Sequence, residues 1–155
     1  MKLLIPLLGK TKESFLDSAI REYTIRLNRF LTVELPVLRE QRRRKTTDET
    51  IRAAEAVQLL EQATTANFCI ALDPKGISVT SEELAGMLNR WRHQGLGLIC
   101  FFIGGYSGLH SSVLHRADQI LSLSHLTFTH EMTRMILLEQ LYRACTIIAG
   151  HNYHK

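Results

Sequence analysis

The chain has 155 residues, of which 45% are hydrophobic, enough for one core of ordinary size and no argument for a second. Its formal net charge of +4 permits a polyanionic partner without requiring one. No apolar stretch reaches the length of about 20 residues that a membrane helix needs, and the apolar run at residues 2–8 is too short for a signal peptide. We therefore expect one cytoplasmic domain over residues 1–155, without membrane association.

The first elements of the chain are predicted from their apolar patterns. Residues 2–8 are apolar apart from Lys2 and predict a strand. Apolar residues recur at three-to-four-residue spacing over residues 15–30 and predict a helix. Thr11 can cap the start of this helix. Residues 32–38 predict a short strand. Pro36 within it favours a sheet edge or an early end of the strand, because proline donates no ladder hydrogen bond.

Two later helices carry start signals. Thr46 with Glu49, and Thr80 with Glu83, have the spacing of capping boxes. Gly95 suits the C-terminal cap of the second of these helices. In the first, we expect the following side chains to face inward: Ile51, Ala54, Val57 and Leu60.

The remaining strands lie further along the chain. Residues 67–72, 98–103 and 119–123 predict strands, and residues 73–76 have the composition of a turn. The run at 98–103 has no polar alternation, which is typical of a strand covered on both faces. A last helix is expected over about residues 131–149.

Alternation of strands and helices predicts an α/β fold with a mainly parallel sheet flanked by helices. Ligands of such sheets bind beyond the carboxyl ends of the strands. The loops after residues 72, 103 and 123 are therefore where a binding site is expected.

The first candidate loop, residues 104–108, has the spacing Gly-Gly-x-x-Gly between a buried strand and a helix. Glycines let the backbone approach a ligand closely. The spacing differs from the dinucleotide and phosphate-loop motifs. A ligand loop and a purely structural turn both fit.

The second candidate loop, residues 122–130, contains Ser, Thr and apolar residues. This composition suits a lining for an amphiphilic ligand with an adenine-like ring. A buried turn, whose hydroxyls satisfy local backbone groups, also explains this composition, and the residues alone favour it.

From the residue pattern alone, the remaining polar side chains and the cysteines are expected to have structural roles and no metal-binding role. The tail histidines, His151 and His154, lack carboxylate or thiolate companions, so we expect no metal site. Glu139, Arg134 and Arg143 are expected to form surface ion pairs on the last helix. The three cysteines lie far apart and are expected to be reduced core residues; they are Cys69, Cys100 and Cys145.

A basic cluster comprises Arg39 and residues 42–45. It is either a solvated loop or a patch that contacts phosphates. The sequence alone leaves both open.

Several segments together resemble the ribosomal RNA large-subunit methyltransferase H family, in order and spacing along the whole chain. Their sequences are LGKTK at 8–12, EYTIRLNRF at 22–30, LDPKG at 72–76, IGGYSG at 103–108, SLSHLT at 122–127, LYRA at 141–144 and YHK at 153–155. Where family members commonly have Pro-Glu after the paired glycines and Pro before His130, this chain has Tyr106-Ser107 and Thr129.

The resemblance implies a minimal SPOUT methyltransferase, a single-domain α/β knot with a C-terminal trefoil knot. It also implies a homodimer whose subunits build the active site together. S-adenosylmethionine, without a metal, would contact residues of the three loops. These are Leu72, Gly104, Gly105, Leu123, Ser124, His125, Leu126, Thr127, Phe128 and Thr129.

The family transfers a methyl group to N3 of a pseudouridine in large-subunit (23S) ribosomal RNA on assembled ribosomes. By this resemblance, Tyr153 and His154 would position the acceptor or remove its proton, and Arg143 would contact or orient the RNA. Two other functions compete with this one. A protein of the same fold could bind RNA or ribosomes without catalysis, and a small nucleotide-binding protein could use the glycine loop at a helix N-terminus.

Overall fold

The structure is a computed structural model and describes residues 1–41 and 47–153. Strands and helices alternate along this part of the chain. The strands are β1 (Lys2–Leu4), β2 (Leu7–Leu8), β3 (Thr32–Glu34), β4 (Val37–Leu38), β5 (Phe68–Ser78), β6 (Leu98–Ile103) and β7 (Gln119–Ser122). The helices are α1 (Ser14–Leu27), α2 (Asp48–Gln62), α3 (Ser81–His93), α4 (Ser111–Arg116) and α5 (His130–Ile148).

Five strands form one sheet in the order β3-β1-β6-β5-β7, and β2 pairs with β4 in a small second sheet. The named strands pair in parallel throughout. Strand β3 lies at an edge of the sheet and ends at Glu34, before Pro36, in agreement with both expectations for this proline. The mainly parallel α/β architecture is therefore confirmed.

The central strand β6 is covered on both faces. Ile99, Phe101 and Ile103 belong to a core shared with α1, α3 and α5. Cys100 and Phe102 belong to a second core with α2 and α4. The two phenylalanines are fully buried, which stabilises the fold by roughly 1.5–3 kcal/mol for each side chain.

The predicted strand at residues 2–8 is split in the structure. Pro6 has no N–H to donate, and the chain passes from β1 in the large sheet to β2 in the small one. Flanking hydrogen bonds keep the segment extended, since Ile5 N donates to the Glu34 carbonyl over 2.9 Å and Leu7 N donates to the Pro36 carbonyl over 2.8 Å.

Thr11 does not cap α1, contrary to the prediction. The N-cap is Glu13, whose own side chain makes no capping bond. Instead, the Glu131 carboxylate accepts hydrogen bonds from the backbone N–H groups of Lys12, over 3.0 and 3.1 Å, and Glu13, over 3.2 Å. A residue from α5 thus satisfies the start of α1, which no local pattern could reveal.

The start of α2 was also predicted wrongly. Its N-cap is Thr47, whose hydroxyl accepts a hydrogen bond from Thr50 N, whereas predicted Thr46 lies outside the described residues. The inward face is rotated as well, because Val57 is exposed. The buried residues of α2 are Ile51, Glu55, Ala56 and Leu59.

The Thr80–Glu83 capping box of α3 is confirmed. Gly95 follows the cap residue of α3 with a φ of 71°, as the C-terminal signal predicts. Gly150 follows the cap residue of α5 with a φ of 69°, which agrees with the predicted end of the last helix at about residue 149.

The composition of residues 73–76 predicts a turn that ends the strand, but the strand does not end there. Strand β5 continues to Ser78, and its register with β7 shifts between Leu72 and Ile77. A Cβ on Gly76 would lie 2.6 Å from the Leu121 carbonyl carbon. Turn chemistry here produces an irregularity within the strand, packed directly on the backbone of β7.

Two predictions about polar and cysteine side chains have different outcomes. The three cysteines are free and buried, as expected, and burial raises the pKa of the Cys100 thiol to about 12. Arg143 pairs with Glu139 on α5 over 2.5 Å. Arg134, predicted at the surface, is instead 2% exposed.

Candidate active site

The three candidate loops converge on one cavity. It has a volume of about 340 Å³ and lies where β5, β6 and β7 end, the edge at which ligands of parallel sheets bind. Eight of the ten residues expected to contact a cofactor line it. They are Leu72, Gly104, Gly105, Leu123, Ser124, Leu126, Thr127 and Phe128.

The two remaining residues, His125 and Thr129, are exposed and do not line this cavity. Thr129 is the N-cap of α5, and its hydroxyl accepts a hydrogen bond from Met132 N over 3.2 Å. The structure therefore gives Thr129 a capping role, and a cofactor contact by either residue stays a prediction.

The glycine loop has a shape that larger residues would disturb. A Cβ on Gly104 would lie 2.6 Å from the Gly108 carbonyl carbon. Gly108 has a φ of 82°, and its N–H donates to the Gly105 carbonyl over 3.1 Å. The glycines thus permit a tight turn that leaves Gly104 and Gly105 exposed to the cavity.

The Ser/Thr loop combines both interpretations that its sequence allowed. Ser122 Oγ donates to the Ser124 carbonyl over 2.9 Å, and Ser124 Oγ accepts from Leu126 N over 2.9 Å. Hydroxyls therefore satisfy local backbone groups. The same loop presents Leu126, 72% exposed, and Phe128 to the cavity, so an apolar ligand surface has partners there.

Helix α2 braces the glycine loop from behind. The side chains that contact it, or His110 just after it, are Glu49, Arg52 and Glu55, which are spaced by three residues and so lie on one face of the helix. His110 Nε2 lies 3.1 Å from Glu49 Oε1, and Arg52 Nη1 donates to the Ser107 carbonyl over 3.3 Å. The Glu55 carboxylate packs against Gly105 so closely that a Cβ there would lie 2.7 Å from Oε2.

A second cavity, of about 720 Å³, adjoins the first. The two share Gly105, Tyr106, Ser107 and His130 as lining residues. Glu55, which also lines the second cavity, was missed in the sequence. Its signal is a charged residue inside the buried stripe of α2, four residues from Ile51 and four from Leu59.

Burial shifts the titration of two side chains at this second cavity. Burial raises the pKa of the Glu55 carboxyl, against a backbone hydrogen bond from Gln41 that lowers it. Burial, together with the charge of Arg134, lowers the pKa of His130 from its ordinary value of 6.5. His130 is therefore uncharged at neutral pH, in the wall between the two cavities.

The described catalytic candidates near the C-terminus, Arg143 and Tyr153, do not line the cavity of their own chain. Tyr153 Oη donates to Glu139 Oε1 over 3.1 Å and lies 3.3 Å from Tyr23 Oη. The Arg143 guanidinium lies 4.8 Å from the centre of the Tyr153 ring. Burial, the hydrogen bond to Tyr23 and the charge of Glu139 raise the pKa of Tyr153, so its hydroxyl stays protonated at neutral pH.

Within one chain, Arg143 and Tyr153 lie far from the cavity. Thr133 lines the cavity at the start of α5, and Arg143 follows ten residues later, about 15 Å along the helix axis. His154 lies outside the described residues, as do residues 42–45 of the basic cluster. Arg39, the described member of that cluster, donates its backbone N–H to Gln58 Oε1 over 3.1 Å.

Two further properties concern the described ranges alone. Over residues 1–41 and 47–153, no group of three or more His, Cys, Asp or Glu side chains is placed to hold a metal ion. None of the described helices combines the length and apolar character required to cross a membrane.

Comparisons with known proteins agree with this geometry. The family described as "Predicted SPOUT methyltransferase" matches residues 1–154. A protein of Desulfotalea psychrophila named Ribosomal RNA large subunit methyltransferase H is 43% identical over 155 residues, covering 100% of both chains. A protein of the same name from Syntrophotalea carbinolica is 39% identical over 154 residues, 99% of each chain.

The fold is also found among solved structures. A probable methylase family protein from Haemophilus influenzae aligns with a TM-score of 0.59 at 12% identity. The alignment covers 99% of this chain and 70% of that chain. At this identity the likeness shows a shared fold.

Proposed function

Because the chain belongs to the SPOUT methyltransferase family, we propose that it transfers a methyl group from S-adenosylmethionine to N3 of a pseudouridine in 23S ribosomal RNA. The observation that carries this proposal is the cavity at the ends of β5, β6 and β7. Its lining includes eight of the ten residues that the family resemblance assigns to the cofactor.

The cavity suits S-adenosylmethionine in size and chemistry. A volume of about 340 Å³ lies within the range of small-molecule sites. The exposed backbone of Gly104 and Gly105 would bind polar groups of the cofactor, and Leu126 and Phe128 would pack against its adenine ring. The bound cofactor supplies an already activated methyl group on its sulfonium.

The protein's remaining tasks are to align the acceptor nitrogen and to receive its proton. Tyr153, whose raised pKa keeps it protonated, positions the base by hydrogen bonding. Uncharged His130, between the two cavities, is placed to accept the N3 proton. Arg143 orients the RNA, and His154 belongs to the same tail.

A homodimer is part of this proposal. Arg143 lies about 15 Å along α5 from Thr133 of its own cavity, and Tyr153 packs against Arg143. A second copy of the chain would place its tail at that cavity, so two chains would complete each site. The C-terminal trefoil knot of the family, a cytoplasmic location and action on assembled ribosomes belong to the same proposal.

The alternative is a ribosome- or RNA-binding protein of the same fold without catalysis. Isothermal calorimetry and a methyl-transfer assay separate the possibilities. We expect S-adenosylmethionine to bind, ATP not to bind, and labelled methyl to appear in ribosomes that lack the modification. Cofactor binding without transfer would favour the non-catalytic alternative, and ATP binding without S-adenosylmethionine binding would favour a nucleotide-binding protein.

A further inference from the structure

The second cavity contains a buried carboxylate with unmet hydrogen-bonding capacity. Glu55 is 4% exposed, and its Oε2 has no hydrogen-bond partner among the described residues. A buried polar group left without a partner destabilises the fold. Lys12, the cation that lines this cavity, is bound to Glu40 over 3.1 Å. Because Lys12 pairs with Glu40, the Glu55 Oε2 atom can accept a hydrogen bond from a ligand.

A hydroxyl beside the same cavity is also without a partner. Ser107 Oγ is buried and makes no hydrogen bond within residues 1–41 and 47–153, and Ser107 lines both cavities. A carboxylate and a hydroxyl together match a ligand edge that carries one N–H donor and one carbonyl acceptor. Pyrimidine-dione bases carry such an edge.

The two cavities impose a requirement on such a base. The nitrogen that receives the methyl group must face the cofactor cavity, whereas Glu55 lines the second cavity, which adjoins the first at Gly105, Tyr106, Ser107 and His130. A different N–H of the same base must then face Glu55. Uridine has one ring N–H, because its N1 is bonded to the ribose. Pseudouridine, bonded through carbon, keeps N–H groups at both N1 and N3.

We propose that Glu55 is a specificity-determining residue whose carboxylate accepts the N1–H of pseudouridine while N3 faces the methyl donor. Ser107 donates to the carbonyl between these two nitrogens. The inference rests on the proposed function, and it assigns to the second cavity the selection of pseudouridine over uridine. A site built around a buried acceptor rejects a base that lacks the donor, because the carboxylate is then left unpaired.

The test compares ribosomes that carry pseudouridine at the target position with ribosomes that carry uridine there. Steady-state methyl transfer gives kcat/KM for each, and calorimetry gives the Kd for S-adenosylmethionine. We expect Glu55→Met to lower kcat/KM for pseudouridine about 10- to 100-fold. The same variant should raise kcat/KM for uridine, because no carboxylate is left unpaired, and it should leave the cofactor Kd unchanged. Glu55→Gln keeps an acceptor oxygen but loses the charge, so the pseudouridine preference should fall about tenfold.

Glu61, exposed on the same helix, provides matched controls. Glu61→Met and Glu61→Gln should leave the ratio of the two substrates unchanged. A purely structural role of Glu55 predicts a weaker cofactor Kd and equal losses on both substrates, and this result would overturn the inference. An unchanged ratio in Glu55→Gln overturns it too, even if Glu55→Met does not fold. Absence of transfer by the unmodified protein would instead refute the proposed function beneath it.

Discussion

The buried Arg134 guanidinium donates from Nη2 to the Leu8 carbonyl over 2.6 Å. Its Nη1 donates to Thr11 Oγ1 over 3.1 Å, and neighbouring Glu131 accepts the backbone N–H groups of Lys12 and Glu13. Two side chains of α5 therefore hold the segment between β2 and α1. This contact joins the segment that precedes α1 to the last helix, next to His130, which lines both cavities.

Loss of this arginine should destabilise the fold. Arg134→Met leaves the buried Leu8 carbonyl without its donor, and the free energy of unfolding should fall by about 1–3 kcal/mol. Urea titration measures the change. Arg21→Met is the control, because Arg21 is exposed and paired with Asp17, and it should change stability by less than about 1 kcal/mol. Equal stability of Arg134→Met and the unmodified protein would contradict this account.

Alanine at the paired glycines should weaken cofactor binding by different routes. A Cβ on Gly104 meets backbone at 2.6 Å, whereas a Cβ on Gly105 meets the Glu55 carboxylate at 2.7 Å. Both single variants should raise the Kd for S-adenosylmethionine by about tenfold or more, an effect of at least 1.4 kcal/mol. Adding Glu55→Ala should restore binding to Gly105→Ala but leave Gly104→Ala impaired.

Gly86 provides the control for this pair. It lies in α3, and the nearest atom to an added Cβ is Arg90 Nη1 at 3.5 Å. Gly86→Ala should leave the Kd unchanged and raise stability by up to about 1 kcal/mol. If Glu55→Ala rescued both glycine variants equally, the assigned contact would be wrong.

Glu55 should give stability a defined pH dependence. Burial raises its pKa above the ordinary value of 4.5, so the folded state holds this proton to higher pH than the unfolded chain does. The folded state therefore loses stability as pH rises above 4.5. Glu55→Gln should have a higher Tm than the unmodified protein at pH 8, and the difference should shrink as pH falls toward 4.5. Exposed Glu61→Gln should show no such trend, and a difference that grew on acidification would refute the assignment.

Complementation should reveal a site shared between subunits. Tyr153→Phe keeps the ring contact with Tyr142, 4.8 Å between centroids, but loses the hydroxyl that contacts Glu139 and Tyr23. We expect it to lose methyl transfer while still binding cofactor. Mixed with Gly104→Ala under conditions of subunit exchange, it should recover about a quarter of the sites, because half of the dimers each regain one intact site. No recovery in verified mixed dimers would show that each chain uses its own tail.

The fold was predictable where local patterns suffice. The apolar run at residues 98–103, the Thr80–Glu83 capping box and the turn at Gly95 all appear as the sequence indicates. The errors occur where a distant part of the chain replaces a local signal. Glu131 satisfies the start of α1 in place of Thr11. Strand β5 continues beyond the turn-like residues 73–76 because Ile77 and Ser78 pair with β7 again after the register shift.

The loops of the candidate site were predictable from the sequence, whereas the contribution of α2 to the second cavity was not. Strand alternation places the loops after residues 72, 103 and 123 at one sheet edge, where they meet. The role of α2 depends on its rotation about its own axis, and the sequence placed Val57 inward where the structure buries Glu55 and Ala56. A single charged residue in that stripe is too weak a signal to reveal which loop it contacts.

The chemical identity of the methylated nucleoside decides whether this protein is a pseudouridine N3-methyltransferase. Ribosomes from a strain that lacks this protein would be incubated with the purified chain and S-adenosylmethionine, and the 23S RNA would then be digested to nucleosides for mass spectrometry. We expect one new species, pseudouridine methylated at N3, in an amount that approaches one per ribosome. Absence of a methylated nucleoside, or a methyl group on any other atom or base, would contradict this expectation.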